Sequence, residues 1–392
     1  MPGRSAVLFL PDDTRRTGCE LPLMLQRVLG VPLLKWLTES LKRAEVTRFF
    51  LVSTPEWSEA AETCFPEDTE LMTASEENPS DRLHVFLSTA EEAEENVLIV
   101  TGPVIYAPYH SARDRERASN ACMISRRDLM QALDENISIG HFLRRAGEPC
   151  IGEDGFFTLR APAELSAWQP GLLQEYLEYL IRSGVELWDR NAVWIQPGIP
   201  VGKGTVLLPG TVLEGKTAVG AGCVIGPNSR ITDSEIGDGC TVESSKLSGV
   251  RLAERACVGP FANLRTGAVL ETGTKAGAFV ELKNTTLGSG AQVPHLSYLG
   301  DCSVGAGSNI GCGTVTANFD RVDKFPTIIG ERAFVGCNTT LVAPVTLGQG
   351  AYIGAGSVIT EDIPAQALGI SRPRLQTKKE WAAKHKKAEE TT

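Results

Sequence analysis

Val219-Gly220-Ala221-Gly222-Cys223-Val224 and Ile353-Gly354-Ala355-Gly356-Ser357-Val358 repeat one six-residue unit, an aliphatic residue followed by small residues at fixed offsets. Around the first copy, Val201, Leu207, Leu213, Val219, Ile225 and Ile231 recur in steps of six; around the second, Ile329, Val335, Leu341, Leu347, Ile353 and Ile359 do the same. Hexapeptide periodicity held this long reads as a parallel β-helix. Each coil has three short strands, about 18 residues per turn, and stacked coils bury a continuous aliphatic column. The register is predicted to slip near Ile236 to Leu252. A coil is also interrupted between Thr316 and Ile328 by an insertion about seven residues longer than the repeat requires. Loops extruded from a rigid scaffold commonly carry function.

Between the two arrays, the stretch from Gly259 to Lys324 holds Arg265, Lys283, His295, Tyr298, Asn309, Asn318 and Lys324. Arg265 follows Leu264 and Lys283 follows Leu282 on an unbroken frame of six, which puts the two cations one coil apart on one face, about 5 Å from each other. Like charges at that distance repel by roughly 1 kcal/mol in water and about 3 kcal/mol near a protein surface. A dianionic group such as a phosphate would complement them; two solvated side chains splayed apart would show the same spacing. Of the five histidines, only His295 lies between residue 195 and the tail after residue 370. An imidazole titrates near neutrality and can take a proton from an incoming nucleophile.

Composition narrows the class. The chain of 392 residues allows two domains of ordinary size, and its net charge of -10 argues against a general nucleic-acid binder. No apolar run approaches a membrane span, and the N-terminus lacks a basic-then-apolar signal pattern, so a cytoplasmic enzyme is expected. The ten cysteines are expected as thiols, with Cys223 and Cys240 in the small-residue slot of their repeats and no CxxC pair to suggest zinc.

Five segments carry a family resemblance: Gly-Pro-Phe-Ala-Asn-Leu-Arg (259–265), Phe-Val-Glu-Leu-Lys (279–283), His-Leu-Ser-Tyr-Leu-Gly-Asp (295–301), the loop from Ala-Asn-Phe-Asp to Lys324, and Leu-Val-Ala-Pro-Val (341–345), followed by Ile-Ser-Arg at 370–372. From about Ile199 to Lys387 the chain resembles the acetyltransferase domain of the bifunctional N-acetylglucosamine-1-phosphate uridyltransferase / glucosamine-1-phosphate N-acetyltransferase family. The resemblance implies a left-handed β-helix, a homotrimer in which the inserted loop reaches a neighbouring subunit, and acetyl transfer from acetyl-CoA to the amine of glucosamine 1-phosphate. It implies that Arg265 and Lys283 hold the sugar phosphate with Tyr298 and Lys324 alongside, and that Asn309 bonds the sugar. His295 would be the base and Glu281 would orient the imidazole. Asn318, Phe319, Cys337, Ala355 and Arg372 would contact acetyl-CoA. Phe319 stands where the family often has tyrosine and Cys337 where it has serine.

The N-terminal part reads as a reduced, nucleotidyltransferase-like α/β domain. Val7 to Leu10, Phe49 to Val52 and Val97 to Val100 suit buried parallel strands, with helical spacing from Leu21 to Leu41 and solvated acidic stretches at Glu67 to Asp81 and Glu91 to Glu95. By the resemblance this is the place of the uridyltransferase, yet its residues are missing. The turn after the first strand, residues 10–16, has no glycine; Leu23 stands in the place of a lysine; Pro103 stands where the family has a metal-binding aspartate; and the family's metal-binding asparagine falls near Pro162 or Ala163. Proline cannot ligate magnesium, so Mg2+ is not expected.

A connecting helix is predicted from about Leu172 to Trp188, started by Pro170-Gly171. The expected division is an α/β domain at 1–165, a helical connector at 166–194, the β-helix at 195–370, and a basic tail at 371–392. Three alternatives stay open: a fully bifunctional enzyme that also forms UDP-N-acetylglucosamine from UTP, another hexapeptide-repeat amino-sugar acyltransferase, and a non-catalytic trimeric scaffold.

Overall fold

A computed structural model of the chain describes residues 4–91, 94–109, 120–139, 142–143, 148–149 and 155–385. It divides into two compact units, Met1–Lys216 and Thr217–Thr392.

The first unit is built on a six-stranded sheet in the order Glu70–Ser75, Arg48–Ser53, Ser5–Leu10, Asn96–Val100, Ala121–Ser125, Glu148–Pro149. The first four strands are parallel, and Ala121–Ser125 runs antiparallel to both its neighbours. The three apolar runs read from the sequence are therefore strands. Val7, Phe50, Val52, Phe86 and Ile99 form the core on one side of the sheet.

Several sequence expectations are corrected. The helix begins only at Leu33 and ends at Arg43. Before it, Leu29 and Gly30 take positive φ and join Arg27–Val28 to Val31–Pro32 as a tight hairpin, which interrupts the helical spacing. Part of the acidic stretch after Glu67 is the edge strand Glu70–Ser75. Glu94 is buried, its carboxylate accepting both the amide and the hydroxyl of Ser5. The connecting helix spans Pro162–Arg182, with Pro162 at its first turn and Pro170 inside it. Its end is set by Gly184 at positive φ, which leaves Trp188 outside.

The second unit is a left-handed parallel β-helix. One face stacks Val224–Ile225, Thr241–Val242, Cys257–Val258, Lys275–Ala278, Gln292–His295, Asn309–Ile310, Phe334–Val335, Tyr352–Ile353 and Leu368–Gly369. A second face carries Arg230–Thr232, Lys246–Ser248, Asn263–Leu264, then the first parts of Glu281–Leu287 and Tyr298–Val304. Ile225, Ile231, Val335, Leu341, Leu347 and Ile353 are all fully buried, as the repeat requires.

The slip read near Ile236 to Leu252 is present. Ile236 pairs with Leu252 and Ile231 with Leu247, a shorter coil than the one joining Leu252 to Leu270. Buried Cys223 and Cys240 aim their thiols at the carbonyls of Gly237 and Ala253, so packing explains them. No disulfide and no cluster able to hold a metal occurs among the described residues. No helix among them is long and apolar enough to cross a membrane.

Candidate active site

Leu264 pairs with Leu282 and Leu282 with Leu299, so their side chains stack inward while the following residues, Arg265 and Lys283, lie on successive rungs of the solvent face. The Arg265 amide donates to the Leu282 carbonyl at 2.8 Å, fixing that register. The Arg265 guanidinium donates to Glu281 Oε1 at 3.0 Å. Glu281 is thus paired with a cation, and no hydrogen bond joins it to His295. Tyr298 lies on the next rung, opposite Glu281.

The inserted loop delivers the third cation. Val315 pairs with Thr340 and Thr340 with Val358, and the first of these steps is seven residues longer. The extra residues fold as a small hairpin: Phe319 bridges Lys324 in antiparallel fashion, and the Phe325 amide donates to the Asn318 carbonyl at 2.9 Å. Asp320 closes the tip by accepting from the amides of Val322 and Asp323 at 2.8 and 2.7 Å. These bonds hold the Asp320 carboxyl below the usual range. The hairpin sets Lys324 close enough to Lys283 to lower its pKa, with Arg265 adding to the effect and Asp301 opposing it. The three cations read from the sequence therefore converge. A shallow cavity of about 300 Å³ opens beside Lys324, lined also by Asn284, Asp301 and Thr327; Arg265, Lys283, His295, Tyr298 and Asn309 are not among its lining residues.

His295 ends its strand beside Ala278, at the corner that precedes Tyr298. It is exposed, and its imidazole has no hydrogen-bond partner among the described residues. The same corner carries a ladder of exposed apolar side chains at positive φ, Phe261, Phe279 and Leu296, with the two aromatic rings stacked at 5.2 Å. Asn309 is half-buried between Gln292 and Phe334 on the first face.

The residues assigned to the acetyl donor occupy a neighbouring column. Gly356 donates its amide to the Cys337 carbonyl at 2.8 Å, and Arg372 Nη1 donates to the Ala355 carbonyl at 2.8 Å. Cys337, Ala355 and Arg372 thus lie on consecutive rungs. Asn318 is buried at the base of the hairpin, while Phe319 is exposed.

Sequence reading missed three residues. Cys312 belongs to the same column, one rung before Cys337, since its carbonyl accepts the Asn338 amide at 2.7 Å. The repeated Ile-Gly-Cys-Gly and Val-Gly-Cys-Asn could have revealed it. Asn284 and Asp301 form a ladder with Asn318: Asp301 Oδ1 accepts from Asn284 at 2.7 Å and Oδ2 from Asn318 at 2.6 Å. Their equal spacing along the chain, one coil each, was the available signal. Gly300 makes room for them, because a Cβ there would lie 2.9 Å from Asn318 Nδ2 and 2.5 Å from the Tyr298 hydroxyl.

In the first unit, the positions that the resemblance links to nucleotidyl transfer hold structural groups. Leu23 is fully buried, and its amide donates to Asp13 Oδ1 at 2.9 Å; Asp13 also takes Arg16 at 2.8 Å. The Pro103 carbonyl accepts from Asn120 at 3.0 Å.

Repeat and coil together place the chain's second unit in the class of hexapeptide-repeat β-helices. Residues 326–361 match the family described as bacterial transferase hexapeptide (six repeats), and residues 216–244 match the hexapeptide repeat of succinyl-transferase. Within that class the chain is similar to proteins named bifunctional protein GlmU. It is 50% identical to the one from Exiguobacterium sp. (strain AT1b) over 207 residues, which is 53% of this chain and 46% of that protein. It is 45% identical to the one from Carboxydothermus hydrogenoformans over 218 residues, 56% of this chain and 49% of that protein. The chain spans about half the length of the curated relatives it matches. A solved UDP-N-acetylglucosamine acyltransferase, LpxA from Bacteroides fragilis 9343, is 18% identical and covers 45% of this chain and 69% of its own, at a TM-score of 0.22. That likeness is too slight to add to the repeat matches.

Proposed function

We propose that the chain transfers acetyl from acetyl-CoA to the amine of glucosamine 1-phosphate, in the synthesis of UDP-N-acetylglucosamine. The observation that supports this most is the grouping of Lys283 with Lys324 and Arg265, whose charges hold Lys283 below the ordinary lysine pKa even with Asp301 opposing, a repulsion that a phosphate dianion would relieve. Arg265 and Lys283 bind the phosphate with Lys324 and Tyr298 alongside, and Asn309 bonds the sugar. His295 takes the ammonium proton. The freed amine nitrogen then bonds to the thioester carbonyl carbon, the carbon–sulfur bond breaks, and the sulfur takes up the second proton that the nitrogen sheds, leaving as the thiol of CoA. Positioning supplies much of the rate, and a backbone amide serves the oxyanion. Cys337, Ala355 and Arg372 hold the acetyl donor along consecutive rungs, with Asn318 and Phe319 of the inserted hairpin alongside. Glu281 acts through its ion pair with Arg265.

The active form is a cytoplasmic homotrimer, with the exposed Phe261–Phe279–Leu296 corner as part of the covered surface. The first unit has lost uridyl transfer, because buried Leu23 and Pro103 provide neither the lysine nor the carboxylate that reaction uses. Two assays test the reading. Free thiol should appear when the protein is mixed with acetyl-CoA and glucosamine 1-phosphate, and pyrophosphate should not appear from UTP, N-acetylglucosamine 1-phosphate and magnesium. Thiol release with a different amino sugar alone, or robust pyrophosphate release, would contradict it.

A further inference from the structure

Asp301 stands at the centre of the Asn284–Asp301–Asn318 ladder and accepts one hydrogen bond on each carboxylate oxygen, at 2.7 and 2.6 Å. An ionised carboxylate can only accept, so each asparagine must offer its Nδ2 group, and the orientation of both amides follows from chemistry. Asn318 is left with Oδ1, which has no hydrogen-bond partner among the described residues. The residue is nonetheless largely buried, and its own carbonyl accepts the Phe325 amide that closes the inserted hairpin. One carboxylate on the rigid coil therefore fixes both the base of the loop and the acceptor atom the loop presents. Gly300 permits this by leaving no side chain between Tyr298 and Asn318.

We infer that Asp301 is a positioning residue for the acetyl donor: it locks Asn318 with Oδ1 outward, as an acceptor for an N–H of the pantetheine arm. The inference rests on the acetyl-transfer reading and adds to it a residue that acts on the acetyl donor through Asn318. Charge-assisted hydrogen bonds are about twice as strong as neutral ones. Asp301→Asn keeps the size of the side chain but can present a donor to either amide, so Asn318 is free to turn over.

The test is made on the full chain at pH 7.5. Asp301→Asn should raise the KM for acetyl-CoA about tenfold, as loss of one such bond implies, while kcat stays within about twofold. In an Asn318→Ala background the same substitution should add nothing, because the two residues act as a unit. Without any ligand, hydrogen exchange should quicken across residues 316–326 at an unchanged melting temperature. Wild-type kinetics in Asp301→Asn, an effect that adds to that of Asn318→Ala, or unchanged exchange would overturn the inference. If the wild type released no thiol, the acetyl-transfer reading would fall, and the exchange comparison would still decide the role of Asp301.

Discussion

Lys283 and Lys324, brought together by the inserted hairpin, stand close enough that the second side chain holds the first below the ordinary lysine pKa, with Arg265 adding to the effect. The pair is a cation site under repulsion, and a bound anion relieves it. Affinity for the anion needs Lys283 protonated. It should therefore be full at neutral pH and fall as pH rises through the lowered pKa, before an ordinary lysine would titrate. Calorimetry with inorganic phosphate across alkaline pH checks this. Lys283→Arg, which stays charged, should keep its affinity at pH values where the wild type loses it.

His295 is exposed and free of hydrogen bonds among the described residues, so removing it should leave the fold and ligand binding intact. His295→Ala should lower kcat by about two to four orders of magnitude, the usual range for a general base. Stopped thiol release with matched binding measurements would show it. Turnover close to wild type would remove His295 from the mechanism.

Glu281 pairs with Arg265 at 3.0 Å. If it works through that pair, Glu281→Gln should change the KM for glucosamine 1-phosphate several-fold and leave the pH profile of kcat in place. A shifted acidic limb of kcat would instead tie Glu281 to the imidazole, as the family resemblance implies.

Glu175, in the helix Pro162–Arg182, has its pKa pushed up to about 7 by burial, although the Tyr109 amide and Arg43 oppose the shift. The folded state then holds a proton that the unfolded chain has already lost, so stability should fall as pH rises from about 4.5 to 7. Over that window the cost is up to about 3 kcal/mol. Glu175→Gln should lack this slope in urea titrations, and a wild-type slope in the variant would contradict the assignment.

The β-helix was legible because burial imposes its period on the sequence. An aliphatic residue every six positions has one use, and Leu264, Leu282 and Leu299 stack where the frame puts them. The cation cluster was legible for the same reason, since register alone carries Arg265 and Lys283 onto one face. The Asp301 ladder was not read, because polar residues on a solvent face obey no packing constraint and only their equal spacing marked them. In the first unit, the helical spacing from Leu21 was misleading: Leu29-Gly30 can take positive φ at modest cost, and a hairpin intervened. Pro170 inside a long helix is a case where tertiary packing, with Tyr176 and Leu177 buried, outweighs a local breaker.

The most direct test compares thiol release from acetyl-CoA with glucosamine 1-phosphate against the same assay with glucosamine, which has the amine and no phosphate. Loss of contacts to two cations should lower kcat/KM by at least about a hundredfold. Equal kcat/KM for the two sugars would contradict the claim that Arg265, Lys283 and Lys324 form a phosphate clamp for an acetyl acceptor.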